Sequence, residues 1–473
     1  MFPLFRRRRE KKPNLPSAGK VLREFFAPIP FEALCVSERT FPSRIRPDLQ
    51  RSLEALFAPP RTCHFSGLIR NGYGEETGLS EVMVDDDHVA VAPPSYEELD
   101  IGEEAPARCL KTAMWLGQEG PIKFVVVLHR TDRTFGGKSF HLQIAVTGQA
   151  PLAAEASALV ERYFSEVEKG IRNSQCYRGK VLSLESESRY TGKPGEIRVH
   201  KLRTVTKEQV ILSAATLDLL DRNILRFVGQ RQALGEFGQS RKKGLLFYGP
   251  PGTGKTHTLH YLASALPDHT TLLISAEQVF ALSEYMTLAR LLQPAMIVIE
   301  DADLIARDRE YSGNACSESM LNKLLNEMDG LREDADILFV LSTNRPEMLE
   351  PALTARPGRI DQAIEFPLPD DAGREKLVAL YARGVSIDTG LVKEIVERTD
   401  GVSGAFIKEL MRRAVQFHLE RGNKERRIDA ADVQEALEEM LFKGGRLNMQ
   451  LLGAARHKGR IGFGAEATHG NGG

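Results

Sequence analysis

One run, Gly249-Pro250-Pro251-Gly252-Thr253-Gly254-Lys255-Thr256, constrains this chain more than any other stretch. It meets every fixed position of the pattern G-x-x-x-x-G-K-[ST], whose context is a strand before it and a helix after it. That context is present: the apolar segment Gly244 to Tyr248 precedes the run, and a helix-compatible sequence follows it. The glycines let the backbone fold tightly enough for its N–H groups to converge on phosphate oxygens, and the helix start adds its positive dipole end. Lys255 is expected to reach the outer phosphates and the Thr256 hydroxyl to ligate Mg2+, with His257 following in the same nucleotide-contacting stretch. An ordinary Gly/Pro turn would not be expected to satisfy all of these positions in this setting.

The loop implies a parallel sheet, and the chain downstream supplies the strands. Apolar segments recur at Thr271 to Ile274, Met296 to Ile299 and Ile337 to Leu341, separated by helical stretches. Such alternation points to an α/β fold with helices on both sheet faces. The second of these segments, Met296 to Ile299, runs into Glu300 and Asp301. Alone, that pair reads equally well as a strand leaving into a solvated turn. Beside a phosphate loop, paired carboxylates at a strand end bind Mg2+ and polarise an attacking water. Asn344 closes the next strand, as either a turn starter or a hydrogen-bond partner for the γ-phosphate and the water. Arg356 and Arg359 flank a Pro-Gly turn. They are surface charge unless they enter a neighbouring subunit's site, where such arginines neutralise transition-state charge.

Composition bounds the remainder. The 473 residues exceed one ordinary core, which suggests two to three domains. Lys and Arg number 63 against 64 Asp and Glu, a formal net charge of −1, which argues against a protein that coats nucleic acid. No apolar run approaches the ~20 residues of a membrane helix. The basic cluster Arg6 to Arg9 follows a very short apolar stub, the wrong order for a secretory signal. Five cysteines without a Cys-x-x-Cys pair read as reduced thiols of a cytoplasmic protein.

Upstream, residues 1–20 read as a flexible basic arm and 21–203 as an α+β domain. Within that domain, Lys123 to Arg130 and Ser139 to Val146 are β-rich and flank Gly136-Gly137, a hairpin pattern. Pro151 opens a helix expected to reach Arg172. No chemical constellation stands out there; Cys63-His64 has no second ligand pair and reads as structural. Residues 204–370 carry the α/β pattern, 371–442 read as helical throughout, and 443–473 form a Gly-rich basic tail expected to be disordered.

The four elements, in this order, resemble the AAA clade of AAA+ ATPases over Thr204 to about Phe442. The resemblance includes Leu321 to Gly330 and the segment Gly401-Val402-Ser403-Gly404-Ala405. It implies a P-loop parallel-sheet AAA+ domain with a small helical lid, preceded by the α+β N-terminal domain. It further implies ATP and Mg2+ as ligands, Glu300 and Asp301 as the Walker B pair, and Asn344 as sensor 1. Arg356 and Arg359 become trans-acting fingers, and Gly404 and Ala405 neighbours of the adenine and ribose. Fingers acting across an interface imply a homo-oligomeric ring, usually a hexamer, remodelling an unidentified protein partner.

Two departures from the family pattern stand out. The Walker B order is Glu-Asp rather than Asp-Glu, as in the similar Bcs-type AAA proteins, which also look like this chain ahead of the phosphate loop. An ATP-binding switch with little turnover is therefore the alternative reading. The window Ser275 to Pro294 also lacks the aromatic–hydrophobic–Gly pore loop of unfolding members. Its aromatics, Phe280 and Tyr285, are expected in the core or on a helix face, and threading of a polypeptide is not supported.

Overall fold

The computed structural model describes residues 15–70, 78–83, 88–133, 137–173, 176–184, 197–304, 323–324, 326–332, 334–349 and 359–443. The chain divides into two compact units, Met1–Arg178 with Leu184–His200, and Gly179–Ser183 with Lys201–Gly473. Among the described residues, no helix is long and apolar enough to cross a membrane.

The first unit is built on strands β1 (Leu34–Pro42), β2 (Cys63–Arg70), β3 (Val89–Ala92), β4 (Tyr96–Leu99), β5 (Ala107–Leu110), β6 (Ala113–Glu119), β7 (Ile122–Arg133) and β8 (Gly137–Thr147). Six of them form one antiparallel sheet in the order β1-β8-β7-β6-β2-β3, while β4 and β5 pair separately. The expected hairpin is β7 with β8, in register from Phe124 opposite Val146 to Arg133 opposite Gly137.

Period-two alternation gives this sheet two different faces. Phe124, Phe140, Leu142 and Ile144 are buried on the side of α4 (Ala153–Asn173), where Phe124 meets Tyr163 edge-on at 5.2 Å. Val125, Val127 and Ala145 point the other way and pack with Leu22 and Phe26 of α1 (Ala18–Phe26) and with Leu79 and Val82 of α3 (Leu79–Val82). Helix α2 (Arg46–Leu56) lies against α4, its Ser52 Oγ donating to Val167 O at 2.8 Å. The arm assigned to residues 1–20 ends earlier than expected. Helix α1 begins at Ala18, and Pro16 O already accepts from Val91 N at 2.9 Å.

The second unit holds β9 (Val181–Leu184), β11 (Lys243–Tyr248), β12 (Thr270–Ile274), β13 (Ala295–Ile299), β14 (Ile337–Thr343) and β15 (Gln362–Glu365), with β10 (Ile197–His200) falling in the first unit. They run parallel in the order β9-β12-β13-β14-β11-β15. β13 and β14 are buried at every position, as a sheet covered on both faces requires. Each such Ile, Val or Leu contributes about 1.5–3 kcal/mol. Helices α5 (Ala214–Leu220) and α6 (Phe227–Glu236), joined through a wider turn at Asp221–Arg226, precede β11, and α7 (Lys255–Ala265) follows it. The chain then crosses over β14 and β13 to reach β12, so strand order reverses beside the end of β11. α/β sheets bind ligands at such a switch point.

Four further helices, Asp371–Tyr381, Thr389–Arg398, Gly404–Glu420 and Ala430–Glu438, share a core of Val378, Ile395, Phe406, Leu410 and Val433. Each starts on a side-chain cap, from Asp370, Asp388, Ser403 and Asp429 respectively, worth about 1 kcal/mol apiece. The segment is not helical throughout. β16 (Ser386–Ile387) and β17 (Arg427–Ile428) pair in parallel and tie two of its connections together.

Candidate active site

The phosphate-loop run closes the carboxyl end of β11 and opens α7. Gly249 and Gly252 adopt φ of 143° and 77°, and at both a side chain would also collide. A Cβ on Gly249 would lie 2.3 Å from Phe366 O, and one on Gly252 would lie 2.8 Å from both Ala405 Cβ and Ser403 Oγ. Thr253 Oγ1 donates to Pro250 O at 2.9 Å and fixes the turn. Gly254, at φ 101°, accepts the first helical bond from Thr258 N at 2.9 Å. The amides of Lys255 and Thr256 thereby lead a full helix at the cavity mouth.

Lys255 is buried, its ammonium donating to Gly249 O at 2.7 Å and Pro250 O at 2.9 Å. Burial pulls its pKa down to about 8, against the opposing pull of Asp301 and Asp303. A site that holds a cation at this cost favours a polyanion as the group that offsets it.

The two carboxylates of the Glu-Asp pair engage different partners. Glu300 Oε1 accepts from Thr256 Oγ1 at 2.8 Å, linking the end of β13 to the start of α7. Asp301 turns into the left-handed region at φ 49°, the one non-glycine residue to do so among the described residues. There its Oδ1 accepts from Asn344 Nδ2 at 3.0 Å. Backbone of this kind costs about 1–2 kcal/mol and clusters at functional positions. The structure thus brings Thr256, Glu300, Asp301 and Asn344 into one cluster at the ends of β13 and β14.

Gly404 and Ala405 begin the helix Gly404–Glu420 against the phosphate loop, with Ala405 N donating to Gly252 O at 3.1 Å. Between them and the loop lies a cavity of about 540 Å3, lined also by Gln209 to Ser213, Pro367 to Asp370, Tyr381 and Lys408. His257 Nε2 donates to Gln209 O at 3.1 Å, and burial lowers its pKa, so the ring is held neutral against that wall. A mononucleotide fits such a volume.

Sequence reasoning missed these walls, and it missed Asp303. That carboxylate is 4% exposed, and its Oδ1 accepts from Thr343 Oγ1 at 2.8 Å and from Asn344 N at 3.2 Å. Its spacing two residues beyond Asp301 was the available signal. Ser403, which caps the helix carrying Gly404 and lies against Gly252, falls in the Gly401 to Ala405 segment but was not itself singled out.

Arg359 is not brought into this cluster. It sits by Gly244 at the opposite end of β11 and pairs with Asp329. A strand of this length separates it from its own phosphate loop by about 16 Å. Arg356 lies outside the described residues, as do Leu321, Asn322 and Leu325 of the Leu321 to Gly330 segment. Of the two aromatics in the 275–294 window, Tyr285 is fully buried, its hydroxyl donating to Gln278 Oε1 at 3.1 Å. Phe280 lies on the helical turn Ala276–Ala281 and stands 59% exposed, on a helix face and not in the core.

Comparison with known proteins falls on these same residues. Residues 245–368 match the model of the ATPase family associated with various cellular activities (AAA). The 26S proteasome regulatory subunit 8 of Dictyostelium discoideum is 33% identical over 233 residues, 45% of this chain and 56% of that protein. Its homolog in Naegleria fowleri is 28% identical over 61% of this chain and 74% of that protein. The ATP-dependent zinc metalloprotease FtsH of Thermus thermophilus is 31% identical over 49% of this chain and 38% of that protein. The chain thus spans about half the length of the first of these relatives. With the phosphate loop, Asp301 and Asn344 of the matched segment lining one cavity and Glu300 bonded to Thr256 beside them, the chain carries an ATPase domain of the AAA family at residues 245–368.

Proposed function

We propose that the chain hydrolyses ATP with Mg2+, as a self-assembled ring, and uses turnover to remodel a protein partner engaged through its N-terminal unit. One observation carries the hydrolytic part: the two Walker B carboxylates are divided between two tasks, Glu300 on Thr256 and Asp301 on Asn344. The Thr256 hydroxyl and Glu300 carboxylate suit Mg2+, being hard oxygen donors 2.8 Å apart, close to the ~2.9 Å between adjacent donors of an octahedral Mg2+. The ion supplies charge neutralisation along the phosphates.

The protein's own groups do the rest. Loop amides and Lys255 hold the β and γ phosphates, and Gly404 and Ala405 close the nucleoside end. Asp301 accepts the proton of the attacking water, and Asn344, bonded to that carboxylate, orients water and γ-phosphate together. Arg359, held away from its own loop by its pairing with Asp329, exchanges that partner for a neighbouring subunit's site on assembly, with Arg356 three positions before it in sequence. Both then act as trans fingers, an effect worth roughly 10³ to 10⁵ in rate. The relatives' names, a proteasome regulatory subunit and an ATP-dependent protease, support a protein as partner.

Phosphate release by wild type, Asp301→Asn and Glu300→Gln, with particle mass measured with and without ATP, tests this reading. We expect an ATP-dependent ring of six copies, with release down about 10²- to 10³-fold in Asp301→Asn. Equally slow release by wild type and Asp301→Asn would leave an ATP-binding scaffold instead.

A further inference from the structure

Away from the nucleotide site, the α1-facing side of the antiparallel sheet changes from apolar to polar within two residue rows. Val125, Val127 and Ala145 belong to the core under α1, and the same face continues to His129 on β7 and, past Gln143, to His141 on β8. These two histidines are directly opposite each other on β7 and β8, their rings parallel within 17° and 5.0 Å apart. Glu38 stands on β1, opposite Gln143 and therefore diagonal to His141 on the same face. His129 is buried, His141 half-buried and Glu38 exposed, and each of the three offers a donor atom within 4.8 Å of the others.

The surroundings orient these groups as ligands. Glu38 Oε1 and His141 Nδ1 lie 2.6 Å apart, sharing one proton in the metal-free network. The far nitrogen of that ring, Nε2, is 2.7 Å from Thr131 Oγ1, and the far carboxylate oxygen accepts from Gln143 Nε2 at 2.7 Å. Gln143 is fixed in turn, its Oε1 accepting from Leu79 N at 2.6 Å. Hydrogen bonds on the non-ligating atom of each ligand are how metal sites set tautomer and ring orientation. Gly78 keeps the space above open: a Cβ there would come within 3.2 Å of both His129 Nε2 and Gln143 Oε1.

We infer that Glu38, His129 and His141 form a binding site for a divalent first-row metal ion of the Zn2+ type. The ion takes the place of the proton shared by Glu38 Oε1 and His141 Nδ1, adds a ring nitrogen of His129, and keeps a position open on the exposed Glu38 side. Two imidazoles and one carboxylate with an open position are a ligand set that zinc accepts, and imidazole favours it over Mg2+. To reach the ~3.4 Å between ligand atoms of a tetrahedral ion, Glu38 Oε1 and His141 Nδ1 separate from 2.6 Å while a ring nitrogen of His129 closes in from no more than 4.8 Å. Among the described residues, this is the one cluster of three such donors.

The experiment is Zn2+ titration of the untagged, chelator-stripped full chain by calorimetry, beside Glu38→Gln, His141→Gln and Glu300→Gln. We expect one zinc equivalent that is weakened at least ~100-fold in Glu38→Gln and His141→Gln but retained in Glu300→Gln, and weakened ~10-fold in Thr131→Val. Equal stoichiometry and affinity in wild type and in the first two variants would overturn the site. A variant that fails to fold is replaced by X-ray absorption on zinc-loaded wild type, where two imidazoles and oxygen support the inference. Thiolate scattering, or no zinc taken up at micromolar free Zn2+, overturns it.

Discussion

The two sheets of this chain assemble polar groups by opposite routes. In the parallel sheet, the strands all point the same way, so residues that follow each strand in sequence arrive together at one edge. Gly249 to Thr256 after β11, Glu300 and Asp301 after β13, and Asn344 after β14 meet there through bonds of 2.8–3.0 Å. In the antiparallel sheet, polar residues meet on a face, through register. Glu38, His129 and His141 come from three strands, with the chain turning back between them. The first arrangement leaves contiguous motifs in the sequence, and the second leaves single residues far apart. Parallel edges are therefore legible in a sequence, while antiparallel faces are not until the register is known.

The sharpest way to break this comparison is to remove the group on which the parallel edge depends. Lys255→Met should weaken ATP binding about 10²-fold, since it deletes charge-assisted hydrogen bonds to two phosphates. Trp115, the chain's single tryptophan, lies on β6 in the first unit. Its emission should be unchanged in the variant if the lesion is confined to the site. Equilibrium binding of a fluorescent ATP analogue measures the first expectation, and a loss under threefold would remove Lys255 from the phosphate contacts.

Next in size is the residue that the motifs did not announce. Both hydrogen bonds to Asp303 land on Oδ1, so an amide oxygen can replace it while a methyl cannot. Asp303→Ala strands two buried donors, and Asn344 loses the bond that fixes its backbone. We expect kcat to fall about tenfold with KM little changed, and Asp303→Asn to restore most of the rate. A purely structural role would instead lower stability in Asp303→Ala without this split between kcat and KM.

These residues mark where sequence reading succeeded and where it stopped. The segments Gly244 to Tyr248, Thr271 to Ile274, Met296 to Ile299 and Ile337 to Leu341 appear as β11 to β14, each with a residue or two more. Continuous apolar runs are how doubly covered strands announce themselves. The β7–β8 hairpin was legible from two β-rich runs flanking Gly136-Gly137, and α4 from the helix opening at Pro151. Asp303 was not, because a carboxylate just past a strand end looks solvated until Thr343 and Asn344 are seen to bury it. The nucleoside walls at Gln209 to Ser213 and Pro367 to Asp370 were silent for a related reason: they act through shape, and many side chains would give that shape. Pairing of β16 with β17 spans two residues each, too few for any periodicity to show.

A third expectation uses pH to separate the units. Burial holds the Lys255 pKa near 8, well below its usual 10.5, and bound phosphates favour the protonated form. Free protein then loses the proton as pH rises through 8, and ATP affinity falls with it, by about tenfold between pH 7 and 9. In the absence of nucleotide the sign for folding is opposite. The unfolded chain retains this proton up to its higher pKa, so Lys255 makes the folded state relatively more stable as pH rises from 8 toward 10.5. Binding isotherms across this range should show the slope in wild type and none in Lys255→Met. An equal slope in both would assign the titration elsewhere.

The smallest expected effect lies in the first unit, where stability is spread over many contacts. Trp115 stacks on Phe57 at 4.9 Å and on Phe65 at 5.3 Å, the latter from the directly opposite position on β2. Phe65 is 37% exposed, so truncating it removes stacking more than burial. Phe65→Ala should cost about 1 kcal/mol, the worth of one aromatic pair beyond its buried area. Denaturant unfolding followed by Trp115 emission reads that loss at its source. A midpoint unchanged within error would mean that the ladder is held by Phe57 alone; a loss of several kcal/mol would mean that the β2–β6 pairing itself depends on Phe65. Either outcome would alter the contrast drawn here, because a face built from register should tolerate the loss of one exposed member far better than the phosphate loop tolerates the loss of its lysine.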